Sequence, residues 1–311
     1  MALGRRALQS VAISCRGPMQ RARSSSSSSR SSWDMHDLTR FAKLKFWEDY
    51  HVESGEQRLH HEWFLESSEV VDLLLPYVKA VCDKEVEGQS MGSSAPALLH
   101  LGCGTSALGL QLSELEPAAA AGAQVVNLDF SPVAINSMRE AYSKDASHER
   151  NSWIVGDALD MPFSAGFFDL VVDKGTFDAF EYADTGNRNA PLSAALCREV
   201  NRVLKRHALA TWVQITHSDP ELRLEMLCKS LPPGGSLSVR DTWSIGHRSL
   251  GEDDNGFEYF LYIIRRRPHF TVHCKDHLNN DVVLGTFVDE RDALDVATRH
   301  GGHVRSMASK I

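Results

Sequence analysis

LHLGCGTSALG, residues 99–109, decides how the rest of the chain is read. The apolar run ALLHL (97–101) stops at Gly102, Gly104 follows, and a helical pattern begins near residue 106. Glycines let the chain turn sharply and let a ligand approach the backbone. The start of the helix adds N–H groups with no partner of their own. Working outward, AQVVNLD (123–129), SWIVGD (152–157), FFDLVVD (167–173) and ALATWVQIT (208–216) read as four more strands. Residues 132–144, 192–205 and 221–231 carry helical patterns between them. This alternation predicts a parallel sheet covered on both faces. LSVRDTWSI (237–245) and FEYFLYIIRR (257–266) read as two strands with no helix between them, a terminal antiparallel pair. The expected fold is α/β: a Rossmann-like, seven-stranded, mostly parallel sheet with an antiparallel last strand and helices on both faces.

Acids stand where such a sheet binds ligands, at the carboxyl ends of its strands. Asp129 ends the second strand, about 25 residues after the glycine loop, where a carboxylate accepts both hydroxyls of a ribose. The spacing Gly102-x-Gly104-x-x-Ala107 also satisfies a looser dinucleotide fingerprint, so NAD chemistry is a rival at this point. Asp157 and Ala158 follow the third strand in GDALDMPF, suited to an adenine amino group and ring nitrogen. Ribose acid, adenine acid and glycine loop together describe S-adenosylmethionine (SAM) better than a dinucleotide.

Charge divides the chain into unequal parts. Residues 1–33 hold six arginines, a run of six serines and no acid, within a total of −8 over 311 residues. The rest holds 27 bases against 41 acids, a net −14. An Arg- and Ser-rich, acid-free leader predicts a mitochondrial transit peptide, with a basic nucleic-acid- or membrane-binding tail as its rival. The acidic body disfavours nucleic acid. No stretch reaches the ~18 apolar residues of a spanning helix, so no membrane partner is expected. The cysteines form no C-x-x-C pair and the fourteen histidines no metal spacing, so neither a disulfide framework nor a metal is expected. Residues 34–90 read as helical, with Ser67 or Ser68 capping the second helix. Residues 269–311 read as an appendage of unknown role: a hairpin, FTVHC and VVLGTF, then a short helix, RDALDVATRH. The expected division is leader 1–33, catalytic domain 34–268 and appendage 269–311.

LGCGTSALG, NLDFSPVAINSM, GDALDMPFSAGFFDLVVDKGTFDA and the EYFLYII strand resemble class I, seven-strand SAM-dependent methyltransferases over roughly residues 40–266. The segment DKGTFD (173–178) resembles a subgroup of protein-lysine methyltransferases that includes enzymes acting on elongation factor 1A and on citrate synthase. LGCGTS with DFSPVA, ITHSDPELRL and the basic leader look closest to the mitochondrial members acting on citrate synthase. The resemblance implies SAM as cofactor and a lysine of a protein, citrate synthase, as substrate in the mitochondrial matrix. An elongation factor 1A or small-molecule methyltransferase is the alternative within the class. It places Gly102 under the methionine part, Asp129 on the ribose, Asp157 and Ala158 on the adenine, and Trp47 and Trp63 over the cofactor. Asp173, Lys174, Gly175, Thr176 and Asp178 then form the activity motif, within which the resemblance has Lys174 line the cofactor site. Asp173 is expected to orient the incoming amine, and Asp178 to support the loop or cap the next helix. His51 and Tyr50 compete for an aromatic position after Trp47. The P-G-G turn usual before the fifth strand is replaced by Arg206, His207 and Ala208.

Overall fold

Near-continuous apolar runs become buried strands because both of their faces are covered. In the computed structural model, β1 (Ala97–Leu101), β2 (Gln124–Asp129), β3 (Asn151–Val155), β4 (Leu170–Lys174) and β5 (Thr211–Thr216) pair in parallel in the order β3-β2-β1-β4-β5. β6 (Trp243–Glu252) and β7 (Glu258–Arg266) follow, with β7 antiparallel to β5 and β6 antiparallel to β7 at the edge. The expected seven-stranded sheet is therefore present, with both last pairings antiparallel. Residues 38–54, 59–83, 85–86, 89–90, 95–142, 148–184, 191–234, 237–275, 281–288 and 290–307 are described; the leader and Cys15 lie outside them.

Alternation along each strand divides the core between two layers. Leu99, Leu101, Val171 and Trp212 face Phe177, Leu196, Val200 and Leu227. These come from α6 (Thr176–Asp184), α7 (Leu192–Val203) and α8 (Pro220–Ser230). Leu98, Leu170, Val172 and Val213 face Val70, Leu74, Leu108 and Leu112. These belong to α2 (Ser67–Cys82) and α3 (Leu108–Glu114). Strand order reverses between β1 and β4, and the crevice above their carboxyl ends is where open α/β sheets place ligands.

Several local expectations shift. Glu66 precedes α2 as its N-cap, in place of either serine, and Glu69 reaches back to accept from the Glu66 N–H at 3.1 Å. The helix expected over 106–115 is α3, followed at once by α4 (Glu116–Ala121), because Pro117 suits a first turn and starts a new helix. The strand expected at 237 begins only at Trp243. Ser238 accepts from the Asp241 N–H and caps a turn of helix, α9 (Val239–Thr242), before it. Upstream, a 3₁₀ turn (Leu38–Ala42) precedes α1 (Leu44–Ser54). α5 (Pro132–Tyr142) lies between β2 and β3.

Beyond β7 the expected hairpin and helix are present: β8 (Phe270–Lys275), β9 (Asp281–Phe287) and α10 (Glu290–His300). β10 (His303–Ser306), not anticipated, pairs with β8 to complete a separate three-stranded sheet with its own apolar cluster, Val272, Phe287, Ala293 and Ala297. HVRS is too short and too polar to signal a strand; pairing with β8 creates it. Among the described residues no helix is long and apolar enough to cross a membrane, and no group of metal-ligating side chains converges.

Candidate functional site

The two glycine motifs meet above the β1–β4 crevice. Gly102 (φ 63°) and Gly104 (φ 50°) take left-handed conformations as the chain leaves β1. A Cβ on Gly102 would stand 2.0 Å from Thr176 Oγ1, and that hydroxyl donates to the Leu101 carbonyl at 2.9 Å. Thr176 therefore locks against the first glycine, whereas a Cβ on Gly104 would meet nothing nearer than His51 at 3.9 Å. One glycine serves packing and the other keeps the cavity open.

Asp129 clamps this loop. Its carboxylate accepts from the Gly104 N–H at 2.8 Å and from the Ser131 N–H at 2.9 Å. Burial pushes its pKa up, and these N–H bonds oppose the rise. A carboxylate has about four acceptor sites, so these bonds leave capacity for a ligand. Asp157, exposed, and Ala158 line the same cavity, and Asp157 accepts from the Leu159 N–H at 2.8 Å.

Lys174 is buried, and its ammonium donates to Glu62 Oε2 and to the Trp63 carbonyl, both at 2.7 Å. Burial lowers its pKa, and Glu62 opposes the fall. Glu62 also accepts from Ser106 Oγ and, at 2.9 Å, from the Ala107 N–H ahead of α3. It joins the upstream segment, the glycine loop and the activity motif. His60 (φ 64°) and Phe64 (φ 69°) bracket it in a conformation uncommon outside glycine. The sequence reading passed over Glu62. Its one signal is an acid between His61 and Trp63, and a buried lysine that needs a counter-charge.

The upstream aromatics form a wall. Trp47 and Trp63 line the cavity with ring centroids 5.8 Å apart, and Trp47 donates to the Phe41 carbonyl at 2.7 Å. Of the two candidates after Trp47, His51 lines the cavity, whereas Tyr50 is buried with its hydroxyl 2.9 Å from His61 Nε2.

The two acids of DKGTFD exchange the parts expected of them. Asp173 is 1 % exposed and does not line the cavity. Its carboxylate accepts from the Thr176 N–H at 2.8 Å and the Phe177 N–H at 3.2 Å, satisfying free donors at the start of α6. Burial, then the charge of Asp178, pushes its pKa up to about 7. Asp178 caps nothing: it lies inside α6 and lines the cavity. It accepts from Thr216 Oγ1 at 2.5 Å and lies 3.2 Å from the guanidinium of Arg223, a fully buried residue of α8. Arg223 also pairs with Glu181 at 2.7 Å and donates to Gln214 at 3.0 Å. Burial opposes its charge, but Glu181, Asp178 and Asp173 outweigh that and hold its pKa up. Neither Arg223 nor His217 was anticipated. His217 also lines the cavity, as does His100 on β1, whose pKa burial pulls down to about 4.

A nucleoside with a charged amino-acid chain fits this donor set: an open glycine loop, a strand-end carboxylate clamped by backbone and a second acid one strand further. Residues 93–250 match the family model described as a methyltransferase domain. The chain is 31 % identical to "Citrate synthase-lysine N-methyltransferase CSKMT, mitochondrial" of Danio rerio, over 73 % of this chain and 85 % of that protein. The Homo sapiens protein of the same name is also 31 % identical, over 66 % of this chain and 78 % of its own length. "EEF1A lysine methyltransferase 4" of Bos taurus is 23 % identical over 75 % of this chain and 78 % of that one.

Proposed function

This chain belongs to the methyltransferase family as a SAM-dependent enzyme, and from that premise we propose that it methylates a lysine ε-amine of citrate synthase in the mitochondrial matrix. Supporting the substrate are the names of its 31 % identical relatives and the −14 balance of the chain beyond the leader, suited to a lysine-presenting partner. Supporting the compartment are those same names and the basic leader, which we assign as a transit peptide over residues 1–33. Residues 34–268 are assigned the chemistry, and 269–311 form an appendage.

When bound, SAM supplies a methyl group already activated by its sulfonium, so the protein has to position groups and exclude water. We assign Gly102 and Gly104 to the methionine part, Asp129 to the ribose hydroxyls through its remaining lone pairs, and Asp157 with the Ala158 N–H to the adenine. Trp47 and Trp63 close the cavity against water. Lys174 is a positioning residue: paired with Glu62 and the Trp63 carbonyl, it holds the tryptophan segment down on the glycine loop. Gly175 (φ 83°) lets Phe64 pack against the motif, Thr176 holds Gly102, and Asp173 orients α6 so that Asp178 faces the cavity. The observation that carries the reading is the convergence of the glycine loop, Asp129, Asp157 and the DKGTFD segment on one cavity.

The test is incubation of the full chain with radiolabelled SAM and either purified citrate synthase or a mitochondrial extract. Label on a lysine of citrate synthase is expected. Label on another protein, elongation factor 1A included, removes the substrate assignment and leaves the methyltransferase. Stabilisation in a thermal melt by NAD and not by SAM removes both.

A further inference from the structure

His217 has no part in the reading above, yet its surroundings are specific. It follows β5 at the carboxyl edge of the sheet and lines the cavity beside Asp178 and Tyr182. Its Nε2 lies 2.5 Å from the Tyr182 hydroxyl. Its Nδ1 lies 3.6 Å from Asp178 Oδ1, beyond hydrogen-bond length, and is buried with no hydrogen-bond partner. Phe64 packs edge-on against the ring at 5.1 Å and bars it from turning away. Gly102, Gly104, Asp129 and Asp157 follow or end β1, β2 and β3, whereas this cluster comes from α6, which follows β4, and from the end of β5, across the switch in strand order. It therefore stands on the side left to the methyl acceptor.

A lysine arrives as an ammonium with a free pKa near ~10.4, and only the neutral amine attacks. We propose that His217, oriented by Tyr182 and Asp178, accepts the proton that the substrate lysine sheds, a role that rests on the protein-lysine reading above. An N–H bond of the ε-ammonium breaks and its proton passes to the imidazole. The freed lone pair forms the N–C bond to the methyl group while the C–S bond breaks, its electron pair leaving with sulfur. The imidazolium, facing the Asp178 carboxylate, then returns its proton to solvent.

The charged and titratable groups around the ring are Asp178 and Tyr182 from α6 and Arg223 from α8, with Glu181 beyond the guanidinium; Phe64 brings no charge. Burial lowers the His217 pKa, Asp178 opposes that fall and Arg223 adds to it. Burial thus favours the neutral ring, and with Nε2 held by Tyr182 the nitrogen left to accept is Nδ1. Entry into the same apolar cavity lowers the pKa of the lysine and narrows the gap between donor and acceptor.

The test compares wild type, His217→Asn and Tyr182→Phe for SAM affinity by calorimetry and for lysine methylation rates between pH 6 and 9. His217→Asn is expected to bind SAM as wild type does. Its kcat should fall about 100-fold at neutral pH, the usual scale of a lost acid–base group, with little change in KM. Its deficit should shrink toward pH 9, as a growing fraction of the lysine loses its proton unaided. Tyr182→Phe should show a smaller loss with the same pH trend. Lysine methylation by His217→Asn with the kcat and pH profile of wild type overturns the assignment. If that variant fails to fold, a wild-type profile from Tyr182→Phe does so instead. Absence of any labelled lysine with wild type overturns the lysine reading itself, and this assignment with it.

Discussion

The two walls of the cavity hold their buried acids in opposite ways. On the wall made by the ends of β1, β2 and β3, Asp129 is satisfied by backbone N–H groups of Gly104 and Ser131. On the wall made by α6, β5 and α8, Asp178 and Glu181 share one counter-charge, the guanidinium of Arg223, beside hydroxyl donors from Thr216 and Ser218. Backbone donors belong to the loop itself and leave carboxylate lone pairs open toward the cavity. An ion pair exists only while both side chains are present, and it consumes the groups that make it. The first wall is therefore built to hold a ligand, and the second to hold α6 against the sheet while keeping its cavity-facing side acidic.

Removing the guanidinium breaks the second wall most severely. Arg223→Met leaves two buried carboxylates without a counter-charge, and a loss of about 3–5 kcal/mol is expected in urea unfolding, the scale for removing one partner of a buried pair. A loss below about 1 kcal/mol would mean that the acids are held some other way. Next comes the first wall. Asp129→Asn keeps the size but loses the charge assigned to the ribose and one of the two acceptor oxygens, and SAM affinity should weaken about 10–100-fold by calorimetry, the equivalent of ~1.5–3 kcal/mol for charged hydrogen bonds. Equal effects on SAM affinity from both variants would erase the contrast between the walls.

Asp173 tests the boundary between them through pH. Its pKa is raised from 3.8 to about 7 on folding, so the folded state binds the extra proton between those values. Stability from this group is present below its unfolded pKa and is lost as pH rises toward 7. Asp173→Asn should flatten that decline by on the order of 4 kcal/mol, a rise of about three pKa units at about 1.4 kcal/mol each. Parallel stability curves for variant and wild type would show that the carboxyl ionises freely. The smallest effect belongs to Asp157, which is exposed. Asp157→Ala should change stability by less than about 0.5 kcal/mol, as surface substitutions do. It should still weaken SAM binding measurably; unchanged affinity would remove it from the adenine site.

How legible each wall was in the sequence follows from the same contrast. Gly102, Gly104, Asp129 and Asp157 were readable because their signals are local: a glycine where φ is positive, an acid where a strand ends. Asp173 and Asp178 were placed in the right segment with their parts exchanged. Spacing along a turn does not say which of two acids faces the helix start and which the cavity. Glu62, Arg223 and His217 carried no such signal. Glu62 meets Lys174 across 112 residues, and Arg223 meets Glu181 across 42. The edge of the fold shows the same division, since β10 is a strand only because β8 lies beside it.

By itself the sequence determined the α/β alternation, the glycine loop and the strand-end acids of the first wall, since hydrophobic period and backbone conformation are properties of short segments. Tertiary structure alone decided which charges neutralise one another, Glu62 with Lys174 and Arg223 with Asp178 and Glu181, and that His217 lies between Tyr182 and Asp178. A buried charge takes whichever partner the packed helices bring within about 4 Å, and no local pattern records that choice.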